Sequence, residues 1–183
     1  MPEYRRVYLK GGIYFITIVT NNRKPLFWSS TARQILHLAW LDVAKRFPFS
    51  TLAVCLLPEH IHTIIQCPET DADYPMRIRE IKRLFTAGYK QRFGLPEVDN
   101  ASRTRKNEAA IWQRRYWEHT IRDEADLHRH LDYVHYNPVK HGRVQNVRDW
   151  EWSSFHRYVR MGWYDLDWGS EVREKDLKGD FGE

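Results

Sequence analysis

The sequence predicts a ferredoxin-like α+β domain: an antiparallel sheet with helices on one face, plus a C-terminal tyrosine-bearing helix and a tail. Three observations point there. Strand-like and helix-like segments follow one another as β-α-β-β-α-β-α, and split βαβ patterns of this kind give an antiparallel sheet with two helices on one side. Two of the strands meet at a tight Pro58-Glu59 turn. The length, 183 residues, suits one domain able to bury a core without staples.

Each element has its own signal. IYFITIVT (13–20) is β-branched and aromatic, so it reads as a strand, closed by NNRKP. In residues 30–47, Ile35, Leu38, Ala39, Val43 and Phe47 recur at helical spacing, with Ser30 or Thr31 as the cap. STLAVCLL (50–57) and HIHTIIQC (60–67) are the paired strands. Residues 75–93 form a second helix, with Pro75 in its first turn and Ile78, Ile81, Phe85 and Tyr89 on the buried stripe. Residues 94–109 read as a mobile basic loop, and 111–121 as a strand. Residues 124–142 are a helix that Pro138 ends or bends. The tail from Val144 is Trp-rich, with a short helix expected over 153–162. The expected division is a core domain over 1–143 and an extension over 144–183 packed on or near the functional site.

Composition narrows the function classes. Lys and Arg number 29 against 24 Asp and Glu, a net charge of +5, which fits a polyanionic partner without requiring one. The two cysteines, Cys55 and Cys67, lie at different distances from the Pro58 turn, so free buried thiols and a reducing compartment are expected. No apolar run approaches the ~20 residues of a membrane span, and the N-terminus lacks the apolar stretch of a signal peptide. The expected location is the cytoplasm.

Chemistry concentrates in two places. His60 and His62 alternate along a strand, so they share a face, while Ile61, Thr63, Ile65 and Cys67 point to the helix-covered core. Two imidazoles so placed are a two-point metal grip, or else hydrogen-bonding groups on a solvated face. A catalytic metal needs a third protein ligand and open positions. On the last helix Tyr133 and Asn137 are one turn apart, on one face. The Asn137 amide oxygen suits Mg²⁺ or Mn²⁺. A phenol near the metal becomes a useful nucleophile when the metal polarises the group it attacks. Spacing alone leaves Tyr136 as an alternative, and packing is the ordinary role of tyrosine in such a helix. His128, His130 and His135 read as surface or nucleic-acid contacts, and Glu59 as a turn residue.

LPEHIHTII followed by HLDYVHYNPVKHG resembles the single-tyrosine HUH transposases, and is more similar still to the bacterial REP-associated tyrosine transposases. WQRRYWEHTIRDEADLHRHLDYVHYNPVKHG and MPEYRRVYLKGG carry the closer likeness, which runs from residue 3 to about 168 and is weakest across 95–108. The resemblance implies a Mg²⁺- or Mn²⁺-dependent nuclease that cuts single-stranded DNA through a 5′-phosphotyrosine link and leaves a 3′-OH. By position it makes His60 and His62 metal ligands, Tyr133 the nucleophile and Asn137 the third ligand. The broader class commonly has glutamine where Asn137 stands; asparagine keeps the amide oxygen on a shorter arm.

The resemblance also implies the partner: hairpins of repetitive extragenic palindromes (REP) with a short single-stranded guide, in the bacterial nucleoid. Phosphates want Lys and Arg, and unpaired bases want aromatic platforms. The candidates are Arg5, Arg6 and Lys10 at the N-terminus, Arg79, Lys82 and Arg83 on the second helix, Arg103, Arg105 and Lys106 in the loop, and Arg114 and Arg115 in the last strand, where Tyr116 and Trp117 interleave rings with charge. A monomer is expected, although broader relatives form dimers with shared sites. The rival readings are a hairpin-binding protein without turnover and a metallohydrolase of small substrates.

Overall fold

The computed structural model describes residues 6–94, 96, 101–105, 108–170 and 181. Arg5 and Lys106 lie outside these residues. The elements are β1 (Ile13–Val19), α1 (Ser30–Arg46), β2 (Ser50–Leu56), β3 (His60–Gln66), α2 (Tyr74–Phe93), α3 (Ala101–Arg105), β4 (Trp117–Thr120), α4 (Glu124–Lys140) and α5 (Phe155–Arg160). The four strands form one sheet in the order β2-β3-β1-β4, and every neighbouring pair is antiparallel. This is the predicted α+β fold, with β3 at its centre beside β1.

One face of the sheet is covered by α1 and α2. Tyr14, Ile16 and Ile18 of β1 and Ile61 and Ile65 of β3 pack there with Ala32, Leu36, Ala39 and Val43 of α1 and Ile78, Ile81 and Phe85 of α2. Ser29, rather than Ser30 or Thr31, caps α1 by accepting from the Ala32 N–H. The buried stripe of α1 is accordingly set by Leu36, and Leu38 is exposed. Gly88 of α2 lets the two helices approach: a Cβ there would come within 2.8 Å of the Ile35 side chain. Arg77 is buried in α2 and donates to the carbonyls of Phe47, Pro48 and Asp73 and to the Asp71 carboxylate, which satisfies a charge that burial would otherwise penalise.

The opposite face is closed by α4 and the segment after it. Phe15, Ala53, Cys55 and Ile64 pack against Leu131, Tyr133 and Val134 of α4 and against Trp150 and Tyr158. Residues 152–154 run along the edge strand: Leu56 N–H donates to Trp152 O and Ser154 N–H to Val54 O. That cover removes an exposed strand edge.

Further expectations change in detail, and the segment read as a loop over 94–109 carries the short helix α3. The strand expected over 111–121 is confined to Trp117–Thr120. Ile111 and Trp112 flank the end of β1 through Asn21 N–H to Ile111 O and Gln113 N–H to Val19 O. The chain then leaves the sheet where Arg114 is drawn outward to Glu108 and Ser102. Pro138 does not end α4, which continues to Lys140. Pro138 leaves the Val134 carbonyl without its helical N–H donor, and the helix closes two residues later, with Gly142 at a positive φ of 60°. Cys55 and Cys67 are free and buried, as expected.

Candidate functional site

The histidine pair sits where the strand period puts it, on the α4 side of β3. The register places Thr17 opposite His62 and Val19 opposite His60. Both imidazoles are fully buried, so the second face is not the solvated one that a purely surface role would need. Each is oriented through Nδ1. His60 Nδ1 lies 3.1 Å from Glu59 Oε1, and His62 Nδ1 lies 2.9 Å from Thr17 Oγ1. The Thr17 hydroxyl donates to the Phe181 carbonyl at 3.3 Å, so it accepts from His62 Nδ1–H. Partners of this kind orient metal-binding histidines and keep the lone pair on Nε2.

Asn137 approaches from α4. Its Oδ1 is 3.4 Å from His60 Nε2. With the Glu59 carboxylate holding the proton on Nδ1, two acceptor atoms face each other there, a donor set that fits a divalent cation. The His141 ring lies 5.0 Å from that of His60, at the end of α4. Burial works against the Glu59 carboxylate, but the hydrogen bond to His60 and the charge of Arg143 outweigh it and hold its pKa below the ordinary value. Arg143 pairs with Glu59 Oε2 at 3.2 Å. Glu59 is therefore more than a turn residue: it links an arginine to a candidate ligand.

Tyr133 is on the same side. Its ring meets that of His62 edge-on, with centroids 5.3 Å apart, and is likewise edge-on to Phe15. Tyr136 faces away, into a separate cluster with Val147 and Phe155. Tertiary placement thus separates two tyrosines that spacing left equivalent. Lys140 donates to the Tyr133 hydroxyl at 3.2 Å, and its ammonium stands 4.8 Å from the ring centroid. Sequence reading passed over Lys140, although seven residues, two helical turns, place it on the Tyr133 face. Phe181 stacks flat on the Tyr133 ring, with centroids 3.8 Å apart and planes 11° from parallel. Nothing in the local sequence signals that contact.

The remaining histidines of α4 depart from the expected surface role. His128 is exposed, but His130 and His135 are buried. His135 meets Ser154 Oγ at 2.9 Å, and burial lowers its pKa to about 3, so it is a neutral packing group that ties α4 to the tail. His130 belongs to a second cluster with His119 and Asp126, whose ligand-type atoms lie within 4.8 Å of one another. Burial opposes ionisation of Asp126, but hydrogen bonds from His119 and from Arg122 N–H bring its pKa down to about 2. With the two rings stacked at 4.6 Å, this cluster fastens β4 to the first turn of α4.

The basic residues divide. Arg79, Lys82, Arg83, Arg103 and Arg114 line an open groove of about 650 Å³ between α2 and the segment before β4. Burial, with the charge of Arg103, pulls the Lys82 pKa down to about 8. Arg103 is itself buried and donates to the carbonyls of Ala109 and Trp112, a bracing role. Arg6 pairs with Glu118 at 2.8 Å and lies over the Tyr116 ring. Lys10, Arg79, Arg83, Arg105, Arg114 and Arg115 are exposed.

A split βαβ sheet here presents two histidines to a tyrosine on an added helix. The chain matches the family model described as "Transposase IS200 like" over residues 9–137, and it belongs to that family, within the REP-associated tyrosine transposases. A relative from Haemophilus influenzae, provisionally named a REP-associated tyrosine transposase, is 44% identical over 180 residues, 98% of this chain and 99% of that one. The REP-associated tyrosine transposase of Escherichia coli K12 is 43% identical over 174 residues, 95% of this chain and 94% of that one. A solved structure of a REP-associated tyrosine transposase bound to a REP hairpin superposes with a TM-score of 0.78 at 41% identity, covering 95% of this chain and 94% of the other.

Proposed function

We propose that the chain is a metal-dependent single-tyrosine nuclease and strand transferase that binds REP-type DNA hairpins and cuts the adjoining single strand. The observation that carries this reading is the convergence of His60, His62 and Asn137 beside Tyr133, with a lysine on the phenol oxygen. The hairpin partner is supported by the similarity to a solved relative bound to a REP hairpin. Among the described residues no helix is long and apolar enough to cross a membrane, in keeping with work on DNA in the bacterial cytoplasm and nucleoid.

Bound by His60, His62 and the Asn137 amide oxygen, Mg²⁺ or Mn²⁺ would supply Lewis-acid polarisation of the phosphate. The chain's own residues do the rest. Tyr133 Oη attacks phosphorus, its proton leaves, the P–O3′ bond breaks, and the departing 3′-oxygen takes up a proton. A 5′-phosphotyrosine ester remains. The Lys140 ammonium stabilises the negative charge that builds on the phenol oxygen, or on that oxygen as it leaves in the reverse transfer. Glu59 and Thr17 fix the imidazoles. Arg79, Lys82, Arg83, Arg114 and Arg115, with Arg105 and Lys10, form the phosphate track, whose contacts release counterions.

In our reading the described part of the extension packs on this site, supported by the Phe181 ring on Tyr133 and by the Thr17 hydroxyl donating to the Phe181 carbonyl.

The test is incubation of labelled hairpin-bearing single strands with the protein and Mn²⁺, then a denaturing gel. A covalent band is expected. Tyr133→Phe is expected to bind the same DNA and give no band. A band from Tyr133→Phe, or an undiminished one in EDTA, overturns the assignment.

A further inference from the structure

An exposed indole stands close to the metal face without a part in the chemistry above. Trp28 is 51% exposed, yet its backbone is clamped. Phe27 N–H donates to Pro58 O at 2.9 Å, and Arg33 donates to the carbonyls of Phe27 (2.8 Å) and Trp28 (2.9 Å). The Phe27 ring is fully buried against Phe85 and Trp112, so the residue beside it cannot drift. Trp150 and Trp152 meet the Trp28 ring edge-on, with centroids 6.2 and 5.9 Å away. The Arg143 guanidinium lies 6.0 Å from the Trp28 ring centroid. The same guanidinium pairs with Glu59, whose other oxygen meets His60. A chain of single contacts therefore runs from a candidate metal ligand to a rigid, half-exposed aromatic surface.

What such a surface suits is a flat aromatic partner carrying negative charge nearby. The geometry points to a subsite for one unpaired nucleotide of the DNA strand beside the Tyr133 site, with its base on the Trp28 indole and its phosphate on the Arg143 guanidinium. Stacking of this kind tolerates any base, because every base has a π face. The inference rests on the DNA reading above and adds a residue that positions the single-stranded guide.

The test compares binding of a bare hairpin with hairpins carrying a 5′ or a 3′ single-stranded flank, for the wild type, Trp28→Ala and Trp28→Phe. Trp28→Ala is expected to weaken a flanked hairpin about five- to a hundredfold and to leave the bare hairpin unchanged, with Trp28→Phe recovering most of the loss. An abasic nucleotide walked along the flank is expected to weaken the wild type at one position and to have no further effect there in Trp28→Ala. That position gives the strand polarity. Equal losses on bare and flanked hairpins, or no loss on either, overturn the subsite while leaving the hairpin reading intact. If the wild type binds no hairpin, the parent reading fails and the subsite with it.

Discussion

The two faces of the sheet are built from the same strands and do opposite work. Toward α1 and α2, β3 sends Ile61 and Ile65 into an apolar layer. Toward α4 it sends His60 and His62, and β1 answers with Thr17 where the other face has Ile16 and Ile18. Both layers are equally buried. They differ in what each side chain needs from its neighbours. The apolar layer needs only volume, whereas each polar group of the other layer needs a named partner, because an unpaired buried donor or acceptor is costly. The dry layer holds the strand still, and the alternation passes that rigidity to the imidazoles one residue away. A site spread over two strands and a helix thereby keeps its spacing without loops.

Substitutions on opposite faces of β3 sharpen this comparison most. His62→Gln, which keeps much of the volume and a polar group facing Thr17, is expected to lower cleavage on the order of a thousandfold, the worth of several kcal/mol of metal assistance, with a smaller loss of stability than a truncation in the apolar layer. Ile65→Ala is expected to cost about 2–5 kcal/mol of stability while folded protein still cleaves. Cleavage time courses and urea melts on both variants check the pair. If His62→Gln melts as early as Ile65→Ala, or Ile65→Ala loses cleavage as fully as His62→Gln, the faces do not divide labour as argued.

A smaller effect is expected at Lys140. Lys140→Met keeps most of the packing and removes the ammonium from the phenol oxygen, so covalent-adduct formation should slow about ten- to hundredfold at unchanged DNA affinity. Single-turnover kinetics at saturating hairpin separates the two; a loss of affinity alone would make Lys140 a phosphate contact.

The smallest change runs the other way. An aromatic pair contributes about 0.5–1.5 kcal/mol beyond area burial, so Phe181→Ala should speed adduct formation about two- to tenfold if the stacked ring limits access to Tyr133. An unchanged rate would leave the contact as packing only.

Much of this was legible in the chain. Strand alternation placed His60 and His62 together and Ile61 and Ile65 opposite, and the helical repeat placed Asn137 one turn beyond Tyr133. The family likeness rested on those same stretches. Local signals were weaker where tertiary contacts outweigh propensity: the strand expected over 111–121 shrank to Trp117–Thr120, because its first residues are held by single bridges and pulled outward by Arg114.

The sequence by itself determined periodicity, and so the element order, the faces of β3 and the Tyr133–Asn137 spacing. These depend on bonded geometry that every chain shares. Only the tertiary structure decided that the Tyr133 ring meets His62, that His130 and His135 are buried rather than surface groups, and that Lys140 and Phe181 reach Tyr133 while Glu59 links Arg143 to His60. Those facts depend on contacts between segments far apart in the chain. Phe181 lies 48 positions beyond the ring it covers, and no local pattern encodes a meeting that the packing of α4 and the tail brings about.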